Sequence, residues 1–410
     1  MFNLNNNHPM MEILLLAIVT YLAIIIIGYW MHKYLRMPWM FTVVLLGFAL
    51  SSLGLFQETV KSDIFLFLSK MGMLFFLFTI GLDLEFEKIK QLGWYIVVGD
   101  ILLTLTEGLA LGSLFFFVFP QFVNHSFLIA LIAGIAFGTV GEVILLAILE
   151  EFGIASTKFG QLALGIGVFD DIFEIGALAI IVALPSIINN NGASVFKSSF
   201  EILLTLLGIF LATFLLSKLG KILEKPIEKI PDTSFVFPFL IFLVMFSFLY
   251  FSSLGNENLG VVAAIFSGIA IQGLLFPKKL VQQYKKPIYF VGNMFLGPFF
   301  FLSLGSKISF NSLLTYPLFV LAIILISLAV RVVISYLLFN KILGKKPAAI
   351  LGVGLCTKFS TSVVSENLLF SSGLIAQPLY SAIMAAFIIL KPVIIGVFSR
   401  GVAIIKKTIQ

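Results

Sequence analysis

Long apolar stretches alternate with short polar ones along nearly the whole chain. A helix that crosses a bilayer needs about 20 consecutive apolar residues, and most of these stretches have about that length. The pattern predicts thirteen segments, at 11–31, 38–56, 63–82, 92–119, 126–149, 158–185, 200–217, 234–253, 258–275, 287–305, 314–340, 347–370 and 377–399. Because their connections are short, we expect one all-α transmembrane domain over residues 1–410.

The composition agrees with a membrane protein. Hydrophobic residues make up 60% of the chain and charged residues 11%, against about 25% charged in soluble domains. The first apolar stretch lacks the basic lead and the small-residue cleavage site of a signal peptide. The net charge of +6 lies mainly in short loops, so we expect a lipid bilayer as partner and no nucleic acid.

The distribution of basic residues predicts an orientation. Nineteen of the 26 lysines and arginines lie in alternate loops or the C-terminal tail, and only Lys61, Lys197 and Lys307 lie on the opposite side. The positive-inside rule then places the N-terminus outside and the C-terminus in the cytoplasm of a bacterial inner membrane. The chain ends shortly after segment 13, so we expect no soluble regulatory domain. The histidines have no ligand-like spacing, and we expect no cofactor.

Segment 6 carries three acidic residues near its centre. Asp170 and Glu174 are four residues apart and Asp171 and Glu174 three, so all three carboxylates share one helix face. Carboxylate oxygens suit hard cations, and protons compete for the same oxygens. The pattern therefore predicts a site that exchanges a cation for protons. The competing interpretation is a buried ion-pair network that only fixes helix packing.

Segments 5 and 12 both contain small and polar residues around one central charge. In segment 5 Gly138, Thr139 and Gly141 precede Glu142, and in segment 12 Gly354 precedes Lys358. Such pairs in matching positions indicate discontinuous, crossing helices of an inverted repeat, here segments 1–6 and 8–13. Glu142 and Lys358 would neutralise the exposed helix ends. The alternative is a glycine-rich packing face.

Two further groups of polar residues lie within apolar segments. Arg331 is deep in segment 11 and needs a carboxylate partner, for which the segment 6 cluster is the predicted candidate. Asp100, Thr104 and Glu107 form one stripe on segment 4. We interpret this stripe as structural, with Lys70 as its partner.

The chain resembles the monovalent cation–proton antiporter superfamily. It is most similar to the branch that holds paired-aspartate sodium–proton antiporters and glutathione-gated potassium efflux proteins. The resemblance covers nearly the whole chain and is carried by Phe78–Leu84, Leu145–Glu151, Gly160–Gly165 leading into Asp170 and Asp171, Pro298–Gly305 and the helix around Arg331.

The resemblance implies a fold, an assembly and residue roles. It implies a homodimer, with a mobile core of helices at about 92–185 and 314–399 and a dimerisation scaffold formed by the remainder. It implies that Asp171 binds the transported metal ion, that Asp170 is the first member of the pair, and that Thr139 lies near the ion. Arg331 would pair with the site, and Glu174 is an accessory candidate.

The function expected from these features is secondary antiport of Na+, or of K+ or Li+, for H+ by alternating access, and not enzymatic catalysis. A potassium–proton antiporter is the first alternative, and a sodium-coupled symporter of an organic anion on a similar fold is the second. A channel or scaffold role has no filter-like repeat to support it. Paired aspartates favour electrogenic exchange, unless Arg331 stays locked to Asp170.

Overall fold

The protein is described by a computed structural model that covers residues 9–84, 93–188, 193–228, 236–254, 257–272, 278–358 and 361–409. These residues are helical apart from short connections. The first nine α-helices are α1 (Pro9–Ala23), α2 (Tyr29–Leu35), α3 (Trp39–Ser52), α4 (Gln57–Lys61), α5 (Asp63–Asp83), α6 (Trp94–Val118), α7 (Phe127–Gly138), α8 (Glu142–Glu151) and α9 (Lys158–Ile188).

The second half of the chain continues in the same way. Its helices are α10 (Ala193–Glu228), α11 (Val236–Ser253), α12 (Gly260–Ala270), α13 (Lys278–Tyr289), α14 (Gly297–Ser306), α15 (Phe310–Thr315), α16 (Pro317–Leu343), α17 (Lys345–Gly354), α18 (Thr361–Ser371) and α19 (Gln377–Ile409). Two π-helical turns, Ile24–Gly28 and Phe290–Leu296, join α1 to α2 and α13 to α14.

Several helix starts follow from local sequence. Ser62, Ser126 and Ser309 precede α5, α7 and α15, and each hydroxyl accepts a hydrogen bond from the backbone N–H three residues later. A serine in this position satisfies one of the N–H groups that have no partner inside the helix. A serine cap therefore marks the first turn of each of these three helices.

The helices form a multi-pass membrane protein. Within the described residues, seven helices are long and apolar enough to cross a bilayer, and four shorter apolar helices accompany them. Large apolar side chains such as Phe67, Leu207 and Leu318 are exposed on the outer surface, which suits lipid and not water. The predicted all-helical membrane architecture is confirmed at this level.

Two sets of helices pack among themselves. In one set α3 and α5 both pack against α14, and α5 also packs against α12. In the other set α6 lies between α7 and α16, α17 packs against α16 and α19, and α9 packs against α6 and α18. The second set carries nearly all of the buried charged side chains described below.

Candidate ion-exchange site

Predicted segments 5 and 12 are both interrupted, and their interruptions are bonded to each other. Helix α7 ends at Gly138 and α8 begins at Glu142, while α17 ends at Gly354 and α18 begins at Thr361. The backbone N–H of Gly141 donates to the carbonyl of Thr357 over 2.6 Å, and the Thr357 hydroxyl donates to the carbonyl of Gly141 over 3.1 Å. Helix ends carry unsatisfied backbone groups, so the crossing requires nearby charged partners.

Two cations bind the C-terminal end of α7. The carbonyl oxygen of Gly138 accepts a hydrogen bond from Nζ of Lys358 over 2.6 Å and another from Nη2 of Arg331. Both side chains are almost completely inaccessible to solvent. The C-terminus of a helix carries partial negative charge, so these cations neutralise the end of the first half-helix.

Glu107 on α6 joins the two cations. Its Oε2 accepts from Nε of Arg331 and from Nζ of Lys358, the latter over 2.9 Å. Its Oε1 accepts from the Ser327 hydroxyl over 2.5 Å. The expectation that Arg331 pairs directly with the segment 6 carboxylates is therefore corrected, because Glu107 is its carboxylate partner.

The same ion pairs change the interpretation of the stripe on segment 4. Glu107 is bound by Arg331 and Lys358, and Lys70 is not among its partners. Glu107 neutralises the two cations that bind the end of α7, so its carboxylate lies at the helix crossing. Glu107 is thus part of the candidate site, and the prediction of a separate structural group paired with Lys70 is wrong for this residue.

Asp170 is anchored to the interruption of segment 5. Its Oδ2 accepts from the backbone N–H of Val140 over 2.5 Å, and its Oδ1 accepts from the Thr104 hydroxyl over 3.2 Å. The Thr104 oxygen in turn accepts from Nη2 of Arg331 over 3.2 Å. One hydroxyl therefore links Asp170 to Arg331. The Val140 N–H lies just before α8, where a carboxylate complements the positive end of the helix.

Asp171, Thr139 and Glu174 differ in burial. The side chain of Asp171 is half-buried, whereas Asp170, Thr139 and Glu174 are fully or almost fully buried. The Thr139 hydroxyl donates to the carbonyl of Ala136 over 3.2 Å, so its oxygen lone pairs stay available as acceptors. Within the described ranges, no group of three His, Cys, Asp or Glu side chains has metal-binding geometry.

The side chain of Glu142 lies outside the described residues, so its predicted role in neutralising a helix N-terminus has no structural counterpart here. The backbone of Glu142 is the first residue of α8.

Sequence reasoning gave Lys391 no role in the site. Its Nζ donates to the carbonyl of Lys358 over 2.9 Å and lies 5.6 Å from the ring centroid of Phe41 on α3. Lys391 is buried on α19, so it contacts both the crossing and a helix of the other packing set. Its sequence signal is a lysine about two helical turns before the end of the apolar run 377–399, a position more typical of a side chain that reaches the membrane surface.

Glycine allows α17 to approach α16 closely behind Arg331. A Cβ atom at Gly352 would lie 2.6 Å from the carbonyl oxygen of Arg331 and 2.6 Å from the Cα of Val332. Contacts this short are with backbone and cannot be relieved by a side-chain rotation. Gly352 therefore sets the distance between the arginine and the second crossing segment.

Comparison with known proteins connects this geometry to a family. The family described as sodium/hydrogen exchanger, transmembrane, matches residues 21–402. A Na+/H+ antiporter of Enterococcus hirae is 24% identical over 82% of this chain and 85% of its own. The K+/H+ antiporter subunit KhtU of Bacillus subtilis is 25% identical over 82% of this chain and 79% of its own.

A solved structure shows the same fold. The sodium proton antiporter MjNhaP1 of Methanocaldococcus jannaschii aligns with a TM-score of 0.64 at 16% identity, and the alignment covers 98% of both chains.

Proposed function

The chain belongs to the sodium/hydrogen exchanger family, and from that premise we propose that it exchanges Na+ for H+ by alternating access. In this proposal the cation and protons compete for the carboxylates of Asp171 and Asp170. The observation that carries it is the half-buried Asp171 beside a fully buried Asp170 that is anchored to the helix crossing. One carboxylate can then meet water while its neighbour is held inside the protein.

The two aspartates have different roles in this proposal because their surroundings differ. Asp170 accepts hydrogen bonds from Val140 and Thr104, so its carboxyl group is fixed relative to α6 and α8. Asp171 is the primary exchanging group, because its partial exposure allows a hydrated cation to approach. The Thr139 hydroxyl donates its hydrogen to the carbonyl of Ala136, so its oxygen lone pairs remain available to a hard cation.

The proposed architecture has thirteen spans, with inverted repeats formed by segments 1–6 and 8–13 around the two crossed, interrupted helices. Residues at about 92–185 and 314–399 would form the moving core, and the remaining helices a scaffold that also forms a homodimer. The separate packing of α3, α5, α12 and α14 supports this division. The N-terminus would lie outside the cell and the C-terminus inside, in keeping with the excess of basic residues in alternate loops.

Potassium is the second candidate cation. The E. hirae and B. subtilis relatives, named for Na+/H+ and K+/H+ exchange, are about equally similar to this chain. Both ions take oxygen ligands, so the same carboxylates would serve either one. Transport measurements with each salt will therefore decide between them.

The test uses purified protein reconstituted in liposomes that contain a pH-sensitive dye, with NaCl, KCl, LiCl or choline chloride added in turn. We expect Na+ to move protons in the wild type and Asp171→Asn to abolish this movement, because an asparagine cannot carry the proton. Asp63→Asn is the matched control, since Asp63 is an exposed aspartate at the start of α5. Wild-type rates in a folded Asp171→Asn protein would refute the assignment.

A further inference from the structure

Asp100 is a buried acid that the exchange site as proposed does not use. It lies on α6, two turns before Glu107, and its side chain has no solvent exposure. Neither of its carboxyl oxygens has a hydrogen-bond partner in the described part of the chain. Buried polar groups nearly always have partners, because burying one without a hydrogen bond is costly.

Asp100 and Asp170 lie on helices that pack against each other, α6 and α9, and their carboxyl groups are close enough to interact electrostatically. Thr104 is four residues from Asp100 on the same helix face, and its hydroxyl donates to Asp170 over 3.2 Å. Two neighbouring carboxylates without solvent repel each other, so they do not both stay ionised unless a positive charge lies between them.

The cations of the cluster do not supply that charge. Arg331 and Lys358 both bind Glu107 and the carbonyl of Gly138. Among the described residues Nη1 of Arg331 has no hydrogen-bond partner either, so it does not donate to Asp100. Three fully buried acids, Asp100, Glu107 and Asp170, therefore lie near two buried bases that are bonded to Glu107. The third buried base at the crossing, Lys391, donates to the carbonyl of Lys358 and is not bonded to Asp100.

We propose that one monovalent cation, either a proton or the transported alkali ion, binds between the carboxyl groups of Asp100 and Asp170. Asp100 is then a further acidic residue of the exchange site, on a different helix from the aspartate pair. This inference rests on the proposed antiport function and adds a second binding position to it, beside Asp171. A carboxylate has about four lone-pair positions, so the two hydrogen bonds to Asp170 leave oxygens free for this ion.

The position differs from Asp171 in access. Asp171 is half-buried, whereas Asp100 has no exposure. An ion bound at the inner position is therefore shielded from direct contact with solvent, unlike an ion at Asp171.

The experiment compares wild type, Asp100→Asn and the control Asp63→Asn in purified, folded protein. Binding of NaCl and KCl is measured by titration calorimetry, and protons released per bound alkali ion are measured with a pH indicator in weakly buffered solution. If the inner position takes the alkali ion, Asp100→Asn should weaken its binding about tenfold or more, as expected when a buried charged ligand is lost. If it takes a proton, alkali affinity stays within about twofold and proton release falls.

Unchanged affinity together with unchanged proton release would overturn the inference. If Asp100→Asn does not fold, Asp100→Glu replaces it, because this variant keeps the acid but displaces its carboxyl group by one methylene. The same two quantities are measured, and wild-type values for both would again overturn the inference. Asp171→Asn and alkali-driven exchange by the wild type are measured in parallel. A wild type without alkali-driven exchange would contradict the proposed function itself, and this result is distinct from a failure of the inner position.

Discussion

Replacement of Glu107 by glutamine should destabilise the protein strongly. Glu107 is the only carboxylate bonded to Arg331 and Lys358 within the described residues, and all three side chains are essentially unexposed. The amide of glutamine carries no charge, so both cations lose their direct counter-charge. Removing one member of a buried ion pair typically costs about 3–5 kcal/mol, because the remaining charge stays buried and uncompensated.

The double variant Glu107→Gln with Lys358→Met should recover part of this loss. Methionine removes one of the two uncompensated cations, and Arg331 keeps its link through Thr104 to Asp170. Residues in one network commonly show coupling energies of about 0.5–3 kcal/mol. We therefore expect the double variant to lose less stability than the sum of its two single variants.

The assay is thermal unfolding of the purified protein in one detergent, followed by tryptophan fluorescence and checked by size-exclusion chromatography. Glu107→Gln should lower Tm by several degrees. The control Glu58→Gln makes the same chemical change at an acid whose side chain is 91% exposed and should leave Tm unchanged. Strictly additive Tm losses in the double variant would refute the argument that Glu107 and Lys358 act as a pair.

Two further predictions concern lysines outside the Glu107 cluster. Lys391→Met should raise the Na+ concentration for half-maximal transport about tenfold or more, because the charge-assisted hydrogen bond to the carbonyl of Lys358, worth about 1.5–3 kcal/mol, is lost. Lys391→Arg should restore the wild-type concentration, and an unchanged concentration in Lys391→Met would contradict a positioning role. Burial holds the pKa of Lys307 at about 8, below its ordinary 10.5, so between these values the unfolded chain binds more protons and stability should rise with pH. The difference in Tm between wild type and Lys307→Gln should therefore change from pH 8 to 10.5 and stay constant below pH 7.

The helices were predictable because lipid imposes a simple requirement on the sequence. Backbone N–H and C=O groups in a bilayer must be hydrogen-bonded within the segment. A single run of apolar residues such as 317–343 meets this requirement by forming an α-helix. Glycine-rich interruptions were also readable, because Gly138 and Gly354 each end a helix in the structure. Segment 10 differs from its prediction, since α13 begins at Lys278 and continues through a π-helical turn into α14.

The identity of the charged residues was predictable, but their pairing was not. Hydropathy marks Arg331, Lys358 and Glu107 as costly in a membrane, yet it contains no distances between helices. Arg331 and Glu107 are 224 residues apart in sequence, and acidic residues on segments 4, 5 and 6 were all available as partners for the arginine. Packing of α6 against both α7 and α16 decides the question, because it brings Glu107 to the end of α7.

The position of Arg331 bears on how many protons are exchanged. An arginine does not lose its proton in proteins, so a direct pair with Asp170 would hold that carboxylate ionised and leave Asp171 as the sole exchanging acid. In the structure Arg331 instead binds Glu107, and in the part of the chain that the structure describes its link to Asp170 runs through the Thr104 hydroxyl. Asp170 is thus not held by a direct ion pair, which supports exchange of two positive charges for one cation.

That argument has a measurable consequence for net charge movement. If the position between Asp100 and Asp170 releases a proton when Asp171 takes Na+, each cycle moves net charge, and a Na+ jump without a pH gradient should give a transient current in proteoliposomes on a solid-supported membrane. Asp100→Asn should reduce the current while Na+ still drives proton movement, because only the outer proton remains. Proton exchange without any current in the wild type would show that the inner position does not turn over, and that Asp171 alone carries one-for-one exchange.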